Sequence, residues 1–308
     1  MEIQQYSIGD LAKLSGIKAH TIRMWERRYG VIKPRRTTTN IRYYFEQDLL
    51  RILNISILTQ IGYKISKIAY LSDEELRQFV LENIIEVDSP EVLIETLIVA
   101  MLSLDEYKFL QVLNGVIERK GIEYTFETVG LPFIERLGIM CDEGTINEVQ
   151  RNFIFNLIRQ KLIVAIDEIK RNDHNRPDNR IIFFMPKAEW GETSLLFYSL
   201  IARIEGYEVL YLGTSVPLES LKAVYKVNDK DILFFSVDSQ CTEDEVNDAV
   251  PFLNDNYPDA VKIISGINVR EKVEEIVKIL KNSHLVCSAA TLRRVLRDIG
   301  KNTTGGKG

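Results

Sequence analysis

Ile8-Gly9-Asp10-Leu11-Ala12-Lys13-Leu14-Ser15-Gly16-Ile17-Lys18-Ala19-His20-Thr21-Ile22-Arg23-Met24-Trp25-Glu26-Arg27-Arg28-Tyr29 reads as two short helices joined by a turn. Ile8, Leu11, Ala12 and Leu14 recur at helical spacing, and Gly16 admits the left-handed backbone that a tight turn needs. A second helix over 18–28 then places Ile22 and Trp25 on its buried side. Lys18, His20, Thr21, Arg23, Arg27 and Arg28 are left for the outer face. These residue types reach phosphates and base edges when a helix N-terminus enters a major groove. The plainer alternative is a helical hairpin with a solvated basic face.

The residues that follow favour the first reading. Val31 to Tyr44 forms two short extended pieces around a Thr-rich turn, where Asn40 can take a left-handed conformation. Such a hairpin is a basic wing: Arg35, Arg36 and Arg42, with the hydroxyl of Tyr43, can grip backbone phosphates beside the groove. Tyr6-Ser7-Ile8-Gly9, Leu11-Ala12, Gly16-Ile17, Thr21-Ile22-Arg23-Met24-Trp25-Glu26, Pro34-Arg35-Arg36 and Ile41-Arg42-Tyr43-Tyr44 together resemble the winged-helix domain of MerR-type transcription regulators. The resemblance covers about the first quarter of the chain and departs at Asn40, where the family usually has Gly. It implies sequence-specific binding to duplex DNA.

Charge is distributed to match. The 308-residue chain carries a net charge of −5, yet residues 1–50 hold nine Lys and Arg against five Asp and Glu, so the remainder carries −9. A basic reader on an acidic body is the expected arrangement, because the field that steers DNA binding is local. With 45% hydrophobic residues the chain is long and apolar enough for two or three packed domains. No signal-peptide core or membrane-length apolar run is seen, which points to a cytoplasmic protein without a membrane partner. Cys141, Cys241 and Cys287 lie too far apart for a zinc knuckle and are expected to be buried thiols.

The expected domains are a winged-helix unit over 1–82, a helical bundle over 83–172, a Rossmann-like domain over 180–300 and a disordered tail over 301–308. An apolar-striped helix over 46–60 and shorter helices near 66–70 and 72–80 finish the first unit. No long heptad run follows, so the subunits must be paired by something other than a coiled coil. Ser89-Pro90 starts the bundle as N-cap and first helical residue. Four helices fit, near 90–102, 104–119, 122–141 and 145–171, and their short connections imply a four-helix bundle. The polar run Asn172–Arg180 reads as a linker. Beyond it, strands at 181–184, 208–212, 232–236, 261–265 and 284–286 alternate with helices, which is the pattern of a doubly wound parallel sheet. The fold class is therefore multidomain, α followed by α/β.

A bundle followed by such a sheet, with Gly206-Tyr207-Glu208-Val209-Leu210-Tyr211-Leu212-Gly213 and Val216-Pro217, is similar to the cobalamin-binding module. Behind a MerR-type head it resembles the CarH family of light-responsive repressors, which implies an adenosylcobalamin-held tetramer. The family's chemistry is only partly present. Its cobalt-ligating His falls at Gly191 and the following Gly at Ser194; Ser236 stands where its Ser should be, and Gly266-Ile267 keeps half of its Gly-Gly. The Trp of the cofactor cap falls at Cys141 and the Glu-His pair at Arg151-Asn152. With the imidazole missing, Trp190 cannot replace it and Glu189 and Glu192 are poor cobalt ligands. No cofactor is expected, and cobalamin bound without the His is the alternative.

Ligands of doubly wound sheets bind beyond the carboxyl ends of the strands. Glu189, Trp190, Gly191, Thr214, Ser236, Asp238, Gly266 and Asn268 fall there and form the candidate cleft for an effector, although strand-end loops are polar in any case. His174 and His284 suggest no metal, and no catalytic triad, phosphate loop or carboxylate pair can be assembled. The expectation is a non-enzymatic regulator that acts as a homodimer or tetramer on an inverted-repeat operator. A corrinoid methyl-transfer or mutase subunit is the enzyme alternative, which the winged head and the absent His oppose.

Overall fold

The computed structural model describes residues 5–84, 86–169, 179–186, 192–225, 231–237, 243–266 and 270–304. The chain forms two compact units, Met1–Ile154 and Phe155–Gly308.

The first unit starts with α1 (Ile8–Ser15) and α2 (Ala19–Tyr29). Ser7 and Asp10 close a reciprocal capping box on α1. Gly16 ends α1 at φ 67°, where a side chain would be strained. Removing the Ser7 hydroxyl in Ser7→Ala is expected to destabilise the unit by about 1 kcal/mol, read as a lowered thermal midpoint. The wing is β1 (Arg35–Arg36) paired antiparallel with β2 (Arg42–Tyr43), and its turn carries Asn40 at φ 67°.

Next come α3 (Glu46–Gln60), α4 (Ile65–Ile68) and α5 (Asp73–Ile84). Every residue of α3 from Ile52 to Leu58 is buried. A helix buried on all sides lies inside a core rather than on its surface. The helices that surround it are α1, α5 and α6 (Pro90–Leu102), the last buried without a break from Val92 to Leu102. The Ser56 hydroxyl donates to the carbonyl of Ser15 at 2.8 Å, and the Gln60 amide donates to the Glu95 carboxylate at 2.6 Å. The packing of α3 therefore runs across the expected boundary at 82 to α6, the first helix of the expected bundle.

The bundle continues with α7 (Glu106–Lys120), α8 (Ile122–Thr125), α9 (Leu131–Asp142) and α10 (Glu148–Asp167), which runs across the boundary at Ile154. The expected single helix over 122–141 contains a π-helical turn at Phe126–Gly130. Pro132, two residues beyond Gly130, cannot donate to the ladder, and a π turn absorbs such a gap. A Cβ on Gly130 would lie 2.9 Å from the Phe126 ring, so the turn needs glycine there.

In the second unit β3 (Arg180–Phe184), β4 (Glu208–Gly213), β5 (Ile232–Ser236), β6 (Lys262–Ser265) and β7 (Ser283–Val286) form one parallel sheet in the order β4-β3-β5-β6-β7. The order reverses between β3 and β5, and such a reversal opens a crevice at the carboxyl edge. Ile182, Phe184, Leu233, Phe235 and Ile264 share a core with α13 (Glu243–Asn256) and α14 (Arg270–Ile279), while α12 (Leu221–Tyr225) adds Leu221. The alternate residues Phe183 and Phe234 face α11 (Glu192–Ile204), whose Tyr198 packs 5.5 Å from Phe234.

Two cations, Arg180 half-buried and Lys262 buried, hold the amino edge of the sheet. Arg180 pairs with Asp231, whose side chain is fully buried just before β5. Lys262, itself fully buried, donates to the carbonyls of Tyr257, Ala260 and Lys281 at 2.6, 3.0 and 3.2 Å. Arg180 thus belongs to β3 and not to the expected linker, because Asp231 recruits it; residues 172–178 lie outside the described residues. The terminal helix α15 (Ala289–Thr304) also runs four residues into the expected tail, whose first helix-breaking glycine after residue 300 is Gly305. Residues 305–308 lie outside the described residues. Cys287 is exposed rather than buried, Cys141 is half-buried, and Cys241 is outside the described residues.

Candidate nucleic-acid interface and strand-edge cleft

Helical periodicity sorts the residues of α2. Ile22 and Trp25 point inward at 0% and 7% exposure. His20, Arg23, Met24 and Arg27 stand at i, i+3, i+4 and i+7 and make one outward stripe, and all four are exposed. Arg28 lies on the flank with its guanidinium 5.3 Å from the centre of the Tyr29 ring, and Thr21 is half-buried. Lys18 is exposed at the N-cap position, and no side chain caps the helix there. Its first backbone N–H groups therefore remain open to an anion.

Glu26 links this helix to the wing. Its carboxylate accepts from the Tyr44 hydroxyl at 3.2 Å and lies 3.8 Å from the Arg42 guanidinium. Burial raises the Tyr44 phenol to about 12; the Glu26 charge adds to the rise, and Arg42 and Arg23 oppose it. Arg23 and Arg42 thus act on one hydroxyl from two elements. Neither Glu26 nor Met24, 43% exposed, stood out in the sequence. Glu26 could have been found three residues from Arg23, on the adjoining face of the helix.

The wing arginines divide between two faces. Arg36 pairs with Arg42 across the ribbon and Arg35 with Tyr43, and cross-strand partners share a face. Arg36 donates to the Asn40 side chain and holds the turn. Arg35 stacks 4.2 Å from the centre of the Phe45 ring, on the face opposite Arg42. All three arginines remain exposed, as does Ile41 at the tip.

At the carboxyl edge of the sheet, Thr214 and Gly266 are half-buried and Ser236 is buried. Ser236 sits beside Ser265 in register, both 1% exposed. Glu189, Trp190, Gly191, Asp238 and Asn268 lie outside the described residues. The Tyr211 hydroxyl is buried without a partner among the described residues. Burial and the Glu192 carboxylate both raise its phenol pKa, and Arg159, 3.1 Å from Glu192, opposes them.

Beneath this edge Phe183 and Phe234 stack at 4.4 Å, and with Tyr198 they fill the space between the sheet and α11 at 0–1% exposure. A ligand of this edge must lie above the strands. No group of three or more His, Cys, Asp or Glu among the described residues could hold a metal ion. With Gly191 at the imidazole position and aromatic rings filling the sheet face, the residues present do not fit an imidazole-ligated cobalamin. No described helix is long and apolar enough to cross a membrane.

Residues 6–75 match the MerR HTH family regulatory protein description. The chain is 28% identical to the HTH-type transcriptional repressor CarH of Myxococcus xanthus, over 79% of this chain and 83% of that protein. It is 24% identical to the repressor CarA of the same organism, over 87% of this chain and 89% of the relative. Among solved structures, the monomethylamine corrinoid protein of Methanosarcina barkeri superposes with a TM-score of 0.56 at 14% identity, covering 68% of this chain and all of that one. The chain thus carries a MerR-type helix-turn-helix domain at its N-terminus and a cobalamin-binding-like fold behind it.

Proposed function

We propose that this MerR-type regulator reads duplex DNA through the outward stripe of α2 and through its wing, and that it acts as a symmetric homo-oligomer on an inverted repeat. The observation that carries the reading is Glu26, which ties Arg42 to the helix that bears Arg23 and so presents both cations together. His20, Arg23 and Arg27 are assigned to the groove. Lys18, Thr21 and Arg28, with the open N-terminus of α2, are assigned to phosphates, as are Arg35, Arg36, Arg42 and Tyr43. Two relatives of nearly full length are repressors, which supports repression and a non-enzymatic role. Two heads related by a two-fold axis require a palindromic operator.

The test is operator affinity against salt. Log K should fall linearly with log salt at about −0.9 per phosphate neutralised; affinity indifferent to salt refutes the reading. The strand edge at Thr214, Ser236 and Gly266 is assigned to an effector other than an imidazole-ligated corrinoid. Protein mixed with adenosylcobalamin and then desalted should show no corrinoid absorbance. Co-eluting corrinoid in stoichiometric amount overturns that assignment and favours a cobalamin-controlled repressor.

A further inference from the structure

A second cleft, of about 320 Å³, lies within the first unit between α3, α5, α6 and α7. Lys108 of α7 reaches it with a fully buried side chain. An ammonium has three N–H donors, and among the described residues Lys108 Nζ has one acceptor, Asn54 Oδ1 at 3.2 Å. Asn54 is itself held by its amide, which donates to the Leu50 carbonyl at 3.0 Å.

The carboxylates around the cleft are committed elsewhere. Asp73 binds Arg51, Glu74 takes both of its hydrogen bonds from Arg77, and Asp105 caps α7 and lies 3.5 Å from Arg77. None comes within ion-pair distance of Lys108. Arg51 is equally saturated, donating to the carbonyls of Val31, Ala69 and Leu71. A buried cation without a counter-ion is costly, and an anion that enters with it removes the cost.

We propose that this cleft binds a small monocarboxylate, whose oxygens take the two free N–H groups of Lys108 while its body rests on Leu50 and Val99. The volume lies at the lower end of ligand pockets, which sets the size of the molecule. The charges of Arg51 and Arg77 are taken up by Asp73, Glu74 and Asp105, whereas Lys108 has no ion pair among the described residues, so a single carboxylate matches it. Burial lowers the Lys108 pKa to about 8, with Asp105 opposing the fall and Arg77 adding to it, so the ammonium is still mostly charged at neutral pH. The site is separate from the strand-edge cleft. It joins α3 and α5, which complete the DNA-binding head, to α6 and α7, so a ligand there couples to operator binding if the proposed function holds.

The experiment titrates the full chain, without DNA, with butyrate, benzoate and inorganic phosphate by calorimetry. Saturable binding of a monocarboxylate, weakened at least about tenfold in Lys108→Met, is the expected result, tenfold being the 1.4 kcal/mol scale of one lost polar contact. Absence of carboxylate binding overturns the proposal, as does phosphate binding alone or equal binding by Lys108→Met. Should that variant not fold, the side-chain nitrogen resonances of wild-type lysines decide: one resonance moving to saturation with benzoate supports the site, and none moving removes it. Operator affinity measured with and without benzoate then tests coupling separately, so a failure of DNA binding leaves the ligand result standing.

Discussion

Arg23→Ala is expected to weaken operator binding about 5- to 150-fold, the 1–3 kcal/mol that one good base-directed pair contributes. Arg23 stands in the outward stripe of α2, one helical turn from Arg27 and beside the Glu26–Arg42 link that positions the wing. Arg28 is the internal control. It is equally cationic and exposed, but it lies on the flank and stacks on Tyr29. Arg28→Ala should lower affinity evenly across sequences and reduce the salt slope by about one phosphate. Anisotropy with operator and scrambled duplexes separates the two effects: only Arg23→Ala should shrink the ratio between them. Equal losses in both variants would mean that the helix contacts backbone alone.

The second large effect is expected in the core. Ile57→Ala removes a fully buried side chain from α3 and should cost about 2–5 kcal/mol, the range for truncating a large aliphatic residue in a packed interior. Because α1, α5 and α6 all pack on α3, the loss should not stay in the head. Amide exchange in α2 and in α6 should accelerate together, as for one cooperative unit. Faster exchange in α2 with α6 unchanged would show that the head and the bundle have separate cores.

Local chemistry explains why much of this architecture can be read directly from the chain. Ser89 with Pro90 marks a helix start whose cap depends on a neighbour three residues away. The strand spans come within one or two residues of expectation, because β-rich runs such as Ile232–Ser236 are buried on both faces. Tertiary context hides the rest. Lys108 looks like any lysine of an amphipathic helix until α3 closes over it, and Arg180 looks like linker until Asp231 is placed beside it. The packing of α6 on α3, across the expected boundary at 82, is hidden for the same reason: a helix buried all round has no periodicity to tell which neighbours it serves. Among the DNA-contact candidates, exposure follows from helical spacing, whereas the division of Arg35 from Arg42 depends on wing register.

The half-buried Arg180 and the buried Lys262 leave the amino edge of the sheet stitched like the spine of a book. The ion pair joins the start of β3 to the residue before β5, and the three carbonyls bound by Lys262 fasten the approaches to β6 and β7. Spreading the strands at this end would strand charges in an apolar interior. The proposed effector edge lies at the opposite rim, where Thr214, Ser236 and Gly266 sit, away from this stitching.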